Sequence, residues 1–286
     1  MSITASAVLC EMNISVWTAN KLDKGETDKV IASASAVKDA AQVRKNLMAG
    51  TTLRKDLSDY AAACRLWHNT QTLPWADKGA RLLSTSLFMD YKREANVRRD
   101  TFNRMKDNFI AAYPSLVQTA QNYLGGLFNP NDYPSAEEVE RKFGFRLVFS
   151  PVPESGDFRL DVAAQDLQDL REQYEESFSG RLADAMREPW DRLHKLLAGM
   201  SEKLTDKADD EEQKKIRYHD TLITNATGLC SMLTHLNITK DPKLEEARRQ
   251  LEQTMLGADI DSIKESAEVR ASMKSKVDAI LSKFEW

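Results

Sequence analysis

The sequence predicts a mainly α protein, an elongated antiparallel helical bundle that carries a small antiparallel β-sheet, in one domain over 1–286. The chain has only 11 glycines and 8 prolines in 286 residues, which is too few turn formers for an all-β fold. Apolar residues recur every three or four positions through most of the chain, and this is the helical period. Two segments, 8–17 and 145–162, alternate at every second position instead and predict the sheet.

The first segment predicts a strand, formed by the alternating residues Val8, Cys10, Met12, Ile14 and Val16. A helix is predicted next, over about 27–48. After Gly50 a second helical stripe begins, and its members are Leu53, Leu57, Tyr60, Cys64 and Trp67. Pro74 disfavours the helical conformation at Leu73, so we expect this helix to end before it and residues 67–79 to form a loop.

A long helix is predicted from about Ser84 to Tyr113, where Pro114 ends or kinks it. Its apolar positions alternate steps of three and four, as they do in coiled coils. Arg98 occupies one of these positions, where an apolar residue is expected. Because a buried guanidinium needs a carboxylate partner, we expect Arg98 to pair with an acidic residue on a facing helix.

The second alternating segment predicts a β-hairpin with strands at 145–150 and 157–162, joined by a turn. An isolated hairpin is marginally stable in water, so we expect the N-terminal strand to complete the sheet. Before the hairpin, Ser135 and Glu138 form a capping box that starts a short helix.

The C-terminal half has the strongest helical pattern. Apolar residues from Leu167 to Leu204 step by three or four without a gap, and Pro189 lies inside this run. The pattern predicts either one kinked helix or a second helix that starts at Pro189. Three further helices are predicted up to residues 236, 256 and 284.

Charge and cysteine content favour a cytoplasmic protein that does not bind a membrane. The net charge is −4, so a global basic field for nucleic acid is absent, although a local basic patch remains possible. Three cysteines are a sparse, odd number that is typical of reduced thiols. No apolar run is long enough to span a membrane, and the first residues do not resemble a secretory signal.

No motif predicts catalysis or a cofactor. A phosphate-binding glycine loop, a dinucleotide fingerprint and a nucleophile elbow are all missing from the sequence. Cys64 and His68 lie four residues apart, a spacing that suits two metal ligands on a helix, but no second pair with suitable spacing accompanies them. We therefore predict a protein that is not an enzyme and that holds no metal.

A local basic cluster lies on the long helix and is a candidate nucleic-acid site, formed by Lys92, Arg93, Arg99, Arg104 and Lys106. The other interpretation is a helix whose basic side chains pair with acidic neighbours in the same chain. Aromatic residues of this helix follow its apolar face, which disfavours stacking of single-stranded bases between the basic side chains.

Trp67 and Trp75 flank Pro74 and are candidate partner-binding residues. If they were exposed they could form a binding knob, because tryptophan is enriched at interface hot spots. If they were buried they would fill the end of the bundle, and this is the interpretation we favour.

Four segments carry a family resemblance, namely 9–17 (LCEMNISVW), 71–75 (QTLPW), 133–160 (YPSAEEVERKFGFRLVFSPVPESGDFRL) and 241–252 (DPKLEEARRQLE). From about residue 8 onward the chain resembles a family of uncharacterised proteins, a domain of unknown function, encoded by tailed double-stranded DNA bacteriophages. Some relatives are encoded near a MoxR-type AAA+ ATPase and a protein with a von Willebrand A domain, which implies an adaptor or client of that ATPase. The resemblance also implies expression in the bacterial host cytoplasm, and it assigns no catalytic residue.

These observations predict a non-enzymatic phage accessory protein that acts by protein–protein interaction, as a scaffold, an adaptor, a binder of a host target or by self-association. One alternative is a nucleic-acid-binding accessory in phage replication, recombination or packaging. Another alternative is a membrane-active helical protein that inserts the tip of the hairpin. The charged residues of the hairpin, which include Arg146 and Arg159, disfavour this last interpretation.

Overall fold

The computed structural model describes residues 3–76, 79–153, 164–205 and 218–286, with side chains in the third range from residue 168. The fold is mainly α with a small antiparallel sheet, which confirms the predicted class. The helices are α1 (Ile3–Ser6), α2 (Lys24–Ser33), α3 (Leu53–Gln71), α4 (Phe88–Leu124), α5 (Ala136–Glu140), α6 (Ala164–Leu204), α7 (Thr221–Leu236), α8 (Pro242–Met255), α9 (Ile260–Glu265) and α10 (Ala267–Lys283). The strands are β1 (Ala7–Ser15), β2 (Asn20–Leu22), β3 (Arg44–Asn46), β4 (Leu73–Pro74), β5 (Arg81–Ser84) and β6 (Gly144–Pro151).

The main sheet has the strand order β4-β5-β1-β6. The predicted N-terminal strand and the first hairpin strand are confirmed as β1 and β6, whereas the second predicted hairpin strand, 157–162, lies outside the described residues. Strand β5 pairs antiparallel with β1, with Ala7 opposite Ser84. We did not predict β5, because its four residues are too few to display a period.

Several helix boundaries differ from the sequence prediction. Helix α4 begins at Phe88 instead of about Ser84, and it continues past Pro114 to Leu124. The helix predicted over 27–48 ends at Ser33, because Ser35 adopts a φ of +50°, and the chain returns as β3 to pair with β2. Helix α3 continues to Gln71, so Trp67 lies in a helix rather than in the predicted loop. Pro74 constrains only the residue before it, and Leu73 satisfies that constraint as part of β4.

The two helices with internal prolines are both continuous. Helix α4 contains Pro114 and extends over 37 residues, and α6 contains Pro189 and extends over 41 residues. The capping box is present: the Ser135 hydroxyl accepts a hydrogen bond from the Glu138 N–H, and the Glu138 carboxylate accepts one from the Ser135 N–H. No helix of the described ranges combines the length and the apolar composition needed to cross a membrane.

The chain packs as two compact units, each assembled from separate stretches of sequence. Unit 1 contains 1–11, 70–90 and 149–286, and unit 2 contains 12–69 and 91–148. Unit 1 has one core among the four C-terminal helices and α6, and a second core around β1, β4 and β5. The core of unit 2 is aromatic, with Phe102, Phe109 and Tyr113 of α4 at its centre. The expectation of a single domain over 1–286 stays a prediction.

Candidate functional site

The candidate nucleic-acid residues lie on two lines along α4. Lys92, Arg99 and Lys106 are spaced by seven residues and share one side of the helix, whereas Arg93 and Arg104 lie on another side. Lys92, Arg93 and Arg104 are exposed. The Arg99 Nε is 3.7 Å from the Asp100 carboxylate. The structure therefore does not gather the five side chains on a single face.

Lys106 is the member of the cluster with the strongest ion pairs. Its Nζ lies 2.9 Å from the Glu140 carboxylate and 3.1 Å from that of Asp107. The hydrogen bond with Glu140 raises the Lys106 pKa above its ordinary value. Lys92 and Arg104 make no ion pair with the residues that the structure describes. The basic cluster is thus partly neutralised by acidic neighbours.

Arg98 does not pair with a facing helix, so that expectation was wrong. Its Nη2 lies 2.9 Å from the carboxylate of Glu94, one turn earlier on the same helix. The facing helix α3 supplies an aromatic partner instead, because the guanidinium carbon lies 4.6 Å from the centroid of the Trp67 ring. This cation–π contact holds Arg98 at an otherwise apolar position.

The two candidate tryptophans pack against neighbouring side chains. Trp67 is half-buried and stacks on Tyr91 at 4.7 Å between ring centroids. Trp75 is buried and meets Phe178 edge-on at 5.2 Å. Trp75 thus belongs to the core around β1, β4 and β5, whereas Trp67 packs on Tyr91 with part of its side chain exposed.

Cys64 and His68, the pair with metal-ligand spacing, are both buried on α3. Cys64 is fully buried, and this burial raises the pKa of its thiol. The His68 Nδ1 is 2.7 Å from the Tyr91 hydroxyl, so this nitrogen already has a hydrogen-bond partner. Within the described part of the chain, no group of three or more histidine, cysteine or carboxylate side chains could hold a metal ion.

The surface that the sequence reasoning missed lies in unit 1, where α8, α9 and α10 meet. Leu256 is 84% exposed and is the most exposed of the large apolar side chains that the structure describes. It borders an open groove of about 400 Å³. The groove is lined by Thr254, Leu256, Gly257, Ala258, Glu268, Val269, Ser272, Met273 and Lys276, which together we call the Leu256 surface.

Local sequence explains why Leu256 faces outward. The buried stripe of α8 includes Leu251 and Met255, and the residue after Met255 is turned by about 100° from that stripe. Gly257 then adopts a φ of +73°, which ends the helical path. Asp259 caps α9, since its carboxylate accepts a hydrogen bond from the Ser262 N–H at 2.8 Å.

Helix α10 forms the opposite wall of the groove. Glu268, Ser272 and Lys276 are spaced by four residues and therefore lie on one face of the helix. Val269 and Met273 lie beside them and contribute the apolar part of this wall. Glu268 and Lys276 are exposed, and neither makes an ion pair with the residues of the described ranges. The groove thus combines the apolar side chains of Leu256, Val269 and Met273 with two hydroxyl groups, one acidic and one basic side chain.

Comparison with known proteins yields no match to a protein-family model, a curated protein or a solved structure.

Proposed function

We propose that this chain is a non-enzymatic accessory protein that acts by binding another protein chain through the Leu256 surface. The supporting observation is that several apolar side chains share one open groove, rather than lying singly on the surface. Single exposed leucines are ordinary, whereas a contiguous apolar patch with a polar rim is typical of a protein-binding site. Apolar side chains at such a patch gain free energy when a partner removes them from water.

The chemistry of the buried thiols supports a role without catalysis. Burial raises the pKa of Cys230 to about 11, so this thiol stays protonated at neutral pH and is a poor nucleophile. The depressed pKa of Glu245, about 2, arises from its hydrogen bonds to Arg248 and Arg249 on the same helix. Glu245 also lines an open groove with Glu246 and Arg249, but the arginines of its own helix account for its pKa shift, as they do in structural ion-pair networks.

The resemblance to proteins of tailed bacteriophages supports a partner in the infected bacterial cytoplasm. The partner class is then a phage or host protein, and a remodelling AAA+ ATPase is one candidate because some relatives are encoded near one. In this role the chain is an adaptor or scaffold that presents its helical surface to the partner.

The test compares capture by wild-type protein and by two leucine variants. Leu256→Asp places a charge in the groove, and Leu66→Asp makes the same change at a leucine of α3 that is 67% exposed. Each immobilised protein is incubated with a lysate of infected bacteria, and the bound proteins are quantified by mass spectrometry. We expect at least one protein to be captured by wild type and by Leu66→Asp and lost with Leu256→Asp. Equal capture by both variants would contradict the proposal.

A second function, binding of nucleic acid, is favoured by one observation: Lys92 and Arg104 are exposed and have no ion-pair partner within the described residues. Fluorescence anisotropy with labelled DNA and RNA at two salt concentrations tests it. If this function holds, Lys92→Glu with Arg104→Glu weakens binding at low salt. The matched control is Lys195→Glu with Lys203→Glu, which changes the net charge equally on α6. Absence of binding by wild type at low salt excludes this alternative.

A further inference from the structure

We infer that the Leu256 surface binds the same surface of a second copy of this chain in a two-fold symmetric dimer. This inference rests on the proposed function, and it names the partner of that surface. The first supporting observation is the order of the charged residues along α10. Ser272 lies midway between Glu268 and Lys276, four residues from each, which is about 6 Å along the helix in either direction.

A two-fold axis through Ser272 would place the two α10 helices antiparallel. Glu268 of each copy would then face Lys276 of the other, so the dimer would contain the same ion pair twice. The side chain at the axis is small, and small side chains allow two helices to approach closely. These two charges are exposed and have no ion-pair partner within the described part of the chain, so both are available for pairing across the axis.

The apolar side chains of this surface are self-complementary as well. Each copy carries a protruding leucine, Leu256, and beside it a recess lined by Ala258, Val269 and Met273. In a symmetric dimer the leucine of each copy would enter the recess of the other. Such an interface is limited to two copies, because both surfaces are occupied and no binding site is left for a third copy.

The size of the surface determines the expected strength of the dimer. Nine residues line the groove, whereas a stable interface takes about 20 to 30 residues from each side. We therefore expect a weak dimer whose population increases with protein concentration. The interaction would be weakened by salt, because its two ion pairs lie at a solvent-exposed rim.

Charge reversal with rescue tests the inference. Sedimentation velocity over a range of concentrations is measured for wild type, Glu268→Lys, Lys276→Glu and the double variant with both changes. Each single variant places like charges opposite one another at both sites, so we expect it to stay monomeric where wild type dimerises. The double variant restores opposite charges, so we expect its dimer to return. A wild type that is monomeric at every concentration, or a double variant that does not dimerise, would overturn the inference.

Cysteine cross-linking provides a second readout that detects weak association. Ser272→Cys places a thiol on the proposed axis, so mild oxidation is expected to yield a disulfide-linked dimer. Ser282→Cys places a thiol on the same helix ten residues, about 15 Å, from the proposed axis and serves as the control. The native thiols Cys10, Cys64 and Cys230 are buried. Equal cross-linking of the two variants would contradict the proposed axis.

The two proposals fail in distinguishable ways. If wild type stays monomeric and Ser272→Cys does not cross-link, while a lysate protein is still lost with Leu256→Asp, the surface binds a different protein and only the dimer is excluded. If the dimer forms and no lysate protein depends on Leu256, the partner of the surface is the chain itself. If wild type stays monomeric and no lysate protein is lost with Leu256→Asp, both proposals fail.

Discussion

Lys45 shows how a single buried charge can join distant parts of unit 2. Its side chain is 6% exposed, and its Nζ lies 2.6 Å from the Asp132 carboxylate and 3.2 Å from that of Asp23. It also donates a hydrogen bond to the carbonyl oxygen of Leu127 at 2.9 Å. Three segments that are far apart in the sequence are therefore held by one ammonium group, whose charge is compensated by two carboxylates.

We expect Asp132→Ala to destabilise the protein by about 3 kcal/mol, because it leaves the buried ammonium with one carboxylate in place of two. Lys45→Met should cost less, since it removes the buried charge and preserves most of the volume of the side chain. Urea unfolding followed by circular dichroism measures both free energies of unfolding. A larger loss for Lys45→Met than for Asp132→Ala would contradict this account of the charge balance.

The lowered pKa of Glu245 predicts how the free energy of unfolding depends on pH. Hydrogen bonds from Arg248 and Arg249 lower its pKa to about 2 in the folded state, below the ordinary value of 4.5. A carboxyl group with a depressed folded-state pKa stabilises the fold above its unfolded pKa, and this contribution is lost as pH falls through the folded pKa. We expect the free energy of unfolding to decrease between about pH 4.5 and pH 2, and Glu245→Gln to make this decrease smaller. Glu202→Gln makes the same change at an exposed glutamate of α6 and serves as the matched control.

At the scale of elements, periodic stripes were sufficient to predict most helices, because burial of one face drives both the pattern and the fold. In α3, the stripe residues Leu57 and Cys64 are buried as the sequence predicts, whereas Leu53 at the start of the helix is exposed. The ends of elements depend on contacts from elsewhere in the chain, and these could not be predicted from local sequence. The Leu256 surface was missed for the same reason, since it exists only where α8 and α10 meet.

Arg192 is one such distant contact, and it acts at the carboxyl end of α3. Its guanidinium donates hydrogen bonds to the carbonyl oxygens of Thr70, at 2.8 Å, and Thr72, at 3.1 Å. Carbonyl oxygens at the end of a helix need donors from outside it, and Arg192 supplies such donors from α6. The Thr72 carbonyl also accepts a hydrogen bond from Arg81, at 3.1 Å. The end of α3 at Gln71 is therefore supported by a residue more than 100 positions later.

We expect Arg192→Ala to destabilise the protein by about 1 kcal/mol, because the carbonyl oxygens of Thr70 and Thr72 each lose one hydrogen-bond donor. Hydrogen exchange should increase over the last turn of α3 before it changes elsewhere. Arg187→Ala removes an arginine of the same helix whose side chain is 75% exposed, and it should have little effect. Unchanged exchange at the end of α3 in Arg192→Ala would show that the carbonyls do not depend on this side chain.

At the scale of the whole molecule, the way the chain alternates between the two units affects whether they unfold together. The chain passes between them four times, and both β1 and β6 supply residues to each unit. Unfolding of one unit would therefore release parts of strands that the other unit uses. This connectivity is the physical reason to expect one cooperative domain over 1–286, as the sequence predicts, even though the units have separate cores.

A core substitution in each unit tests this expectation. Phe109→Ala in unit 2 and Leu251→Ala in unit 1 each remove a fully buried side chain and should cost about 2–5 kcal/mol. In a single cooperative domain, either change should lower the free energy of opening, measured by hydrogen exchange, by a similar amount in α4 and in α8. Leu66→Ala, at an exposed leucine, should leave the free energy of opening of both helices unchanged. If Phe109→Ala affects α4 and leaves α8 unchanged, the two units unfold separately, because the strands they share do not couple their cores.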